Sequence, residues 1–276
     1  MGVQRPQDNS VIDLSTQGYD CLKLEYCPNS DLFDLVRNIM RTGEAEKRPF
    51  VLGLPLSRYL IRKVADVIGH MHHNVGLAHL DIKVENILFD QDYTPKLCDF
   101  GFSYDIKAKI FEQQGTQGYM APELNYGYSQ RGYDGQLADI FALAVTFFIL
   151  VFGIPPFHRT DDSDVYYKIF HQFTNEDKVL KFIRLHPATK ANKDFLIDQD
   201  HSCDAHAKEH ARQTHHFIEM IMAMVSPNPS RRPQSIIELF ESFEFMRPNP
   251  LYDISDDEAR SQLRNLISKH RQTANK

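Results

Sequence analysis

Residues 77 to 89 constrain this chain more than any other stretch. They read Leu-Ala-His-Leu-Asp-Ile-Lys-Val-Glu-Asn-Ile-Leu-Phe, so His79, Asp81, Lys83, Glu85 and Asn86 alternate with apolar neighbours. An ordinary loop has no reason to hold an acid, a base and an amide between two hydrophobic anchors. Asp99-Phe100-Gly101 follows, a second acid on a turn, and then Gly115-Thr116-Gln117-Gly118-Tyr119-Met120-Ala121-Pro122-Glu123. A lone Asp-Phe-Gly is common by chance. Three such segments in a fixed order are not, because each constrains several positions independently.

In this order the segments resemble the catalytic loop, the metal-binding turn and the end of the activation segment of eukaryotic protein kinases. The resemblance implies phosphoryl transfer from ATP with Mg2+, and the chemistry accounts for the residue types. Such a reaction needs an acid to take or orient a hydroxyl proton, and hard oxygen ligands to hold magnesium against the phosphates. Asp81 fits the first role, and Asn86 and Asp99 fit the second. Lys83 would set a positive charge near the transferring group. Its place two residues after Asp81 points to a Ser/Thr kinase. One position departs from the family: Leu80 stands where an Arg is usual, and Leu80 cannot grip an activation-segment phosphate. Residues 106–114 also lack Ser, Thr and Tyr, with Glu112 at the usual phosphorylation place. The segment is therefore expected to be unswitched there and to be held by Phe111 packing and the turn over residues 115–123.

Composition bounds the rest. A chain of 276 residues that is 42% hydrophobic and 25% charged lies in the globular range. A formal net charge of −6 argues against a general nucleic-acid or membrane-surface binder. Cys21, Cys27, Cys98 and Cys203 form no Cys-x-x-Cys and read as free thiols of a reducing compartment. The apolar run Ile140 to Phe152 is 13 residues, short for a bilayer span. A soluble, cytoplasmic protein is the expectation.

Val11–Leu14 and Leu22–Tyr26 read as two short strands joined around Gly18. Cys27-Pro28-Asn29-Ser30-Asp31-Leu32-Phe33 then reads either as a strand end running into a helix capped by Asp31 or Ser30, or as the kinase hinge. By the resemblance, Leu24 is the gatekeeper position, Glu25 and Cys27 offer backbone groups to adenine, and Asp31 reaches the ribose. Glu85 and Leu88 complete the expected nucleotide contacts. Residues 32–41 form a short helix. Leu56, Leu60, Val64, Val67, Ile68 and Met71 recur at helical spacing over residues 55–74, with His72 and His73 as surface or helix-end cations. A helix apolar on all sides begins at Tyr133–Leu143. In the family its Asp, here Asp139, ties down the catalytic-loop backbone. Arg232 of Asn228–Pro233 should bridge Glu123, and His79 is a structural member of the catalytic loop. Residues 201–216 hold 5 of the 13 histidines. Zinc is conceivable at His206, His210 and Cys203, but without a paired Cys/His framework the stretch reads as a solvated helix start. Ser255-Asp256-Asp257-Glu258 is a capping box opening an amphipathic C-terminal helix, expected to dock on the lobe or on a partner.

The expected fold is α+β and protein-kinase-like: mainly the helical C-terminal lobe with a residual β-hairpin of the N-terminal lobe. Three segments follow: 1–27 (residual strands and hinge), 28–243 (C-terminal lobe) and 244–276 (tail). Ahead of the hinge there is no Gly-rich phosphate loop and no Val-Ala-Ile-Lys strand. The resemblance thus implies a protein Ser/Thr kinase acting on protein hydroxyls but incomplete in this chain, by a truncated gene model or by completion from a protein partner. The alternative is a catalytically impaired pseudokinase serving as a binding scaffold.

Overall fold

A computed structural model describes residues 23–41, 50–124, 132–172, 175–190 and 205–274. Helix α1 spans Leu32–Arg41, α2 Leu54–His70, α3 Gly135–Phe152, α4 Val165–Gln172, α5 Asn175–Leu185 and α6 Pro187–Lys190. Helix α7 covers Ala205–Met224, α8 Ile236–Ser242 and α9 Asp256–Ala274. Among the described residues, six short strands form three antiparallel pairs: β1 (Leu77–Ala78) with β4 (Tyr104–Asp105), β2 (Ile87–Phe89) with β3 (Pro95–Leu97), and β5 (Lys109–Ile110) with β6 (Tyr133–Asp134). The result is the α+β, mainly helical lobe of the kinase-like fold.

The core forms around α3. Asp134 caps it, its carboxylate accepting the Gln136 and Leu137 amides, and Gly153 at φ 77° ends it. Helix α3 is long and apolar enough to cross a membrane by length and composition, yet Ile140, Phe141, Leu143, Phe147, Phe148, Leu150 and Val151 are all 0% exposed. The protein buries it on every side, as its all-round apolar surface requires. Gly135 is needed at its start: a Cβ there would lie 2.7 Å from Ala78 Cβ and 3.0 Å from Ile110 Cδ1. Helix α2 presents one apolar stripe to α3 and passes into a π-turn at Met71–Val75, closed by Gly76 at φ 81°. That turn delivers the chain to β1 and the catalytic loop.

Two expectations need correction. Residues 23–27 are not in a strand, and Leu24 (71%) and Tyr26 (68%) are exposed. No strand ladder includes them among the described residues, and Val11–Leu14 and Leu22 lie outside those. The ladder starts later, where Asn29 N–H donates to Phe89 O (3.2 Å), Phe89 N–H to Ser30 O (3.0 Å) and Asp31 bridges to Leu88. These residues lie after residue 27, on the C-terminal-lobe side of the expected 27/28 division. Second, Phe111 is 60% exposed and Ile110 2%. Successive side chains of a strand face opposite ways, and the β5–β6 register turns Ile110 inward. The Tyr133 hydroxyl adds a bond to Glu112 O at 3.0 Å. The C-terminal stretch docks on the lobe, one of the two places expected for its helix. Phe245, Met246, Tyr252, Ala259, Leu263 and Ile267 join the same core. Ser255 and Glu258 form the capping box, with the Glu258 amide 3.3 Å from Ser255 Oγ and Glu258 Oε2 2.9 Å from the Ser255 amide.

Candidate active site

The catalytic loop is set by Asp139, a carboxylate with no exposed surface. Its Oδ2 accepts the His79 amide at 2.7 Å and its Oδ1 the Leu80 amide at 2.7 Å. Leu80 stands at φ 66° with its side chain 6% exposed. That backbone costs roughly 1–2 kcal/mol for an L-residue, offset by the paired amide and by burial. His79 extends the frame. Its Nδ1 accepts the Asp81 amide at 3.2 Å, so its proton lies on Nε2, which donates to Cys98 O at 3.1 Å.

Asp81 is 4% exposed and its carboxylate is gripped from three sides. Lys83 Nζ reaches Oδ2 at 2.7 Å, Asn86 Nδ2 reaches Oδ2 at 3.1 Å, and Thr116 Oγ1 reaches Oδ1 at 2.6 Å. Lys83 Nζ also meets Thr116 Oγ1 at 2.9 Å. Burial pushes this carboxyl up, but the Lys83, Thr116 and Asn86 hydrogen bonds outweigh it and hold Asp81 below the usual carboxylate range. A carboxylate accepts about four hydrogen bonds. With three filled, one lone pair remains on Oδ1.

Asn86 and Asp99 sit on adjoining segments: the Cys98 amide donates to Asn86 O at 3.0 Å, and the Phe100 ring lies 5.3 Å from the His79 ring. Asp99 is exposed, at φ 64°, and its Oδ1 takes only a long bond from the Gly101 amide at 3.4 Å. No bond joins its carboxylate to Asn86 or Asp81 among the described residues, so the three expected side chains share a neighbourhood without touching as a triad. Asn86 spends its Nδ2 on Asp81 O (2.8 Å) and Oδ2, which leaves its Oδ1 as a free acceptor. Two hard oxygens on tethered segments suit a magnesium ion.

The residues expected to meet a nucleotide have other contacts. Asp31 Oδ1 caps α1 through the Asp34 amide at 2.7 Å, and burial raises its pKa against that bond. Glu25 Oε2 pairs with Lys96 Nζ at 3.2 Å on the surface. Cys27 is a half-buried free thiol. Leu88 pairs with Lys96 across β2–β3. Glu85 Oε2 accepts the Tyr119 hydroxyl at 3.2 Å. The bridge between Arg232 and Glu123 is bidentate, at 2.6 and 2.7 Å, and Arg232 Nη1 also reaches Leu137 O at 2.8 Å.

Two site residues escape sequence reasoning. Thr116 was read only as part of a motif; a hydroxyl beside a glycine in the third motif is the available signal. His72 is corrected from a surface cation to a buried side chain, 7% exposed, with Nε2 2.8 Å from Asp139 Oδ2. It lies four residues after Ile68 on the buried stripe of α2, which is where helical periodicity places it. His73, next along, is exposed. Cys203 and the His206 side chain lie outside the described residues, and no metal-holding cluster of His, Cys, Asp or Glu occurs among those described. His210 rests edge-on against Phe50 at 5.1 Å.

A family model for the protein kinase domain matches residues 11–243. Among curated proteins, the chain is 32% identical over 146 residues to the serine/threonine-protein kinase SAPK4 of Oryza sativa subsp. japonica, covering 50% of this chain and 36% of that one. It is 34% identical over 163 residues to maternal embryonic leucine zipper kinase of Danio rerio, covering 58% and 22%. It is 32% identical over 153 residues to a putative serine/threonine-protein kinase, YPL150W, of Saccharomyces cerevisiae, covering 55% and 15%. The matched region thus spans little more than a third of the relatives' length at most.

Proposed function

We propose, from the premise that this chain belongs to the protein kinase family, that it is the catalytic lobe of a serine/threonine kinase acting on protein hydroxyls. The observation that carries this reading is the Asp81 carboxylate, held by Lys83, Asn86 and Thr116 with one acceptor site left. A substrate hydroxyl fits that last site on Oδ1. Because Asp81 is held below the usual carboxylate range, it is a weak base near neutrality. Its work is to orient the hydroxyl and to take the proton late, as the oxygen bonds to phosphorus. Lys83 balances the negative charge that builds beside Asp81. Bound magnesium-ATP supplies the phosphoryl group and a leaving ADP; Asn86 Oδ1 and Asp99 are the residues that would hold the metal, and the backbone of Glu25 and Cys27 with Asp31, Glu85 and Leu88 would meet the nucleotide. Arg232 and Glu123 brace the far end of the activation segment. The cover over the phosphates is read as coming from further polypeptide, since residues 1–27 contain no Gly-rich loop or Val-Ala-Ile-Lys strand. A cytoplasmic site of action is part of the same proposal.

The test is transfer of labelled phosphate from magnesium-ATP by the full chain, with and without the candidate covering polypeptide, followed by phosphoamino-acid analysis. Phosphoserine and phosphothreonine are expected, lost on Asp81→Asn and Asp99→Ala. Phosphotyrosine alone would overturn the Ser/Thr assignment.

A second reading, a binding scaffold on the same lobe, is favoured by the exposed Leu24, Tyr26 and Phe100 (71%, 68% and 53%). Calorimetry separates the two: tight partner binding with no uptake of magnesium-ATP supports the scaffold.

A further inference from the structure

Residues 25–29 are fastened at both ends to one turn. At the far end Asn29, 4% exposed, donates its amide to Phe89 O at 3.2 Å and its Nδ2 to Asp90 O at 2.6 Å. At the near end Glu25 Oε2 accepts Lys96 Nζ at 3.2 Å, and Lys96 Nζ lies 3.5 Å from Asp90 Oδ2. Asp90 is the common point. Its Oδ1 accepts the Asp92 and Thr94 amides, both at 2.9 Å, which leaves Oδ2 for the lysine. Burial raises the Asp90 pKa, but the Thr94 and Asp92 amides and Lys96 outweigh it and keep the carboxyl ionised. Lys96 is thus seated on an acid that the turn already holds in place.

Between the two fastenings, residues 25–28 enter no strand ladder among those described. Lys96 stands opposite Leu88 in the β2–β3 register. Residues paired across an antiparallel ladder share a face, so the lysine rises from the face that carries Leu88. An ion pair with side chains 38% and 60% exposed adds little to global stability. Its effect is local: it ties a stretch without a ladder to the lobe.

We infer that Lys96 is a positioning residue for nucleotide: seated on Asp90, it pins Glu25 and lays the backbone from Glu25 to Cys27 over the Leu88 face. That this backbone meets a nucleotide rests on the kinase reading; the pinning does not. Lys96 bonds to none of Asp81, Asn86 and Asp99 among the described residues, so it acts on nucleotide affinity and not on transfer.

The experiment has two arms on the full chain, with Lys96→Met, Glu25→Gln, the double variant, and Lys96→Arg, which keeps the charge. In the first, nitrogen-15 relaxation gives backbone order parameters for residues 25–27. These should fall by at least about 0.1, toward the flexible range below about 0.6, in Lys96→Met and Glu25→Gln alike. The double variant should fall no further, and Lys96→Arg should match the wild type. In the second, calorimetry with magnesium-ADP should show Kd raised about three- to fivefold in each single variant, the scale of one exposed ion pair. The double should be no weaker than the weaker single, and Lys96→Arg should lie within about twofold of wild type. Where transfer is measured, kcat of Lys96→Met should stay within about twofold while KM for ATP rises. Unchanged order parameters in Lys96→Met, additive losses in the double variant, or a fall in kcat at constant KM overturns the proposal. If Lys96→Met fails to fold, Glu25→Gln, which breaks the same pair from its more exposed side, decides. Absence of nucleotide uptake by the wild type would count against the kinase reading and leave the order parameters to decide the role of Lys96.

Discussion

Arg232 is buried against a carboxylate, whereas Arg58 is buried mainly against carbonyls. Each guanidinium has a fully buried side chain and lies 5.0 Å from an aromatic ring, Phe141 for Arg232 and Phe245 for Arg58. Arg232 meets Glu123 in a two-pronged pair whose carboxylate side chain is 14% exposed. Arg58 donates to Phe245 O, to Arg247 O at 2.9 Å and to Gln213 Oε1 at 3.1 Å. Its one acid is Asp253, at 3.1 Å and 34% exposed. Burial pushes the Arg58 guanidinium down, with Asp253 opposing. The activation side is thus closed by charge neutralisation, and the tail side by dipoles gathered around one charge. The first is dominated by one bidentate pair, with the Ser226 and Leu137 carbonyls beside it, and can be undone and largely repaired as a pair. The second is a hub, and no single partner substitution can repair it.

Arg232→Ala should give the largest effect. It strands the Glu123 charge and should cost about 3–5 kcal/mol, read as a shift in the urea midpoint. Adding Glu123→Leu should recover at least half of that loss. Arg58→Met, which keeps volume but leaves carbonyls without donors, should cost about 1–3 kcal/mol. Asp253→Asn should cost under about 1 kcal/mol, since that acid is a third exposed. If Arg58→Met were as costly as Arg232→Ala and Asp253→Leu rescued it, the hub would be a pair after all.

Acid probes a different buried group of the core. His186 is 2% exposed, stacked on Phe182 at 4.7 Å, with Nε2 3.1 Å from Pro155 O. Burial lowers its pKa from 6.5 to about 4, against the Pro155 bond. The unfolded chain therefore binds the proton first as pH falls. Stability from this group is whole above about 6.5, declines from there to about 4 and is flat below, a change on the order of 3 kcal/mol. His186→Phe should remove that slope, and an unaltered pH profile would refute the assignment. Glu112→Ala should do least, under about 0.5 kcal/mol. The side chain is exposed, and Tyr133 bonds its backbone oxygen, which alanine keeps. A loss of 2 kcal/mol there would mean that the activation segment leans on charge after all.

What could be read in the sequence follows the same division. Glu123, Arg232 and Asp139 lie inside motifs, and the pairs expected of them are made. Arg58 was invisible: a cation within an amphipathic helix looks like a surface residue, and its acceptors are backbone oxygens some 190 residues away, which no side chain announces. His72 was misread because its type outweighed its position on the Val64–Ile68 stripe. The hinge strand failed for a different reason. The alternation over Leu22–Tyr26 says which residues could pair, not which ladder forms, and among the described residues none includes them, with Leu24 and Tyr26 exposed.

The wide separation between Arg58 and its acceptors has a consequence for how the chain is made. Asp253 follows Arg58 by 195 residues. At typical ribosomal speeds of 5–20 residues per second, about 10–40 s pass between them. Through that interval the nascent helix around Arg58 carries a guanidinium that cannot yet be buried, so its native seat against Phe245 stays empty until the segment from Phe245 to Asp253 has been made. A ribosome stalled near residue 240 would therefore hold a lobe with every motif of the candidate site translated and its last cation still in water.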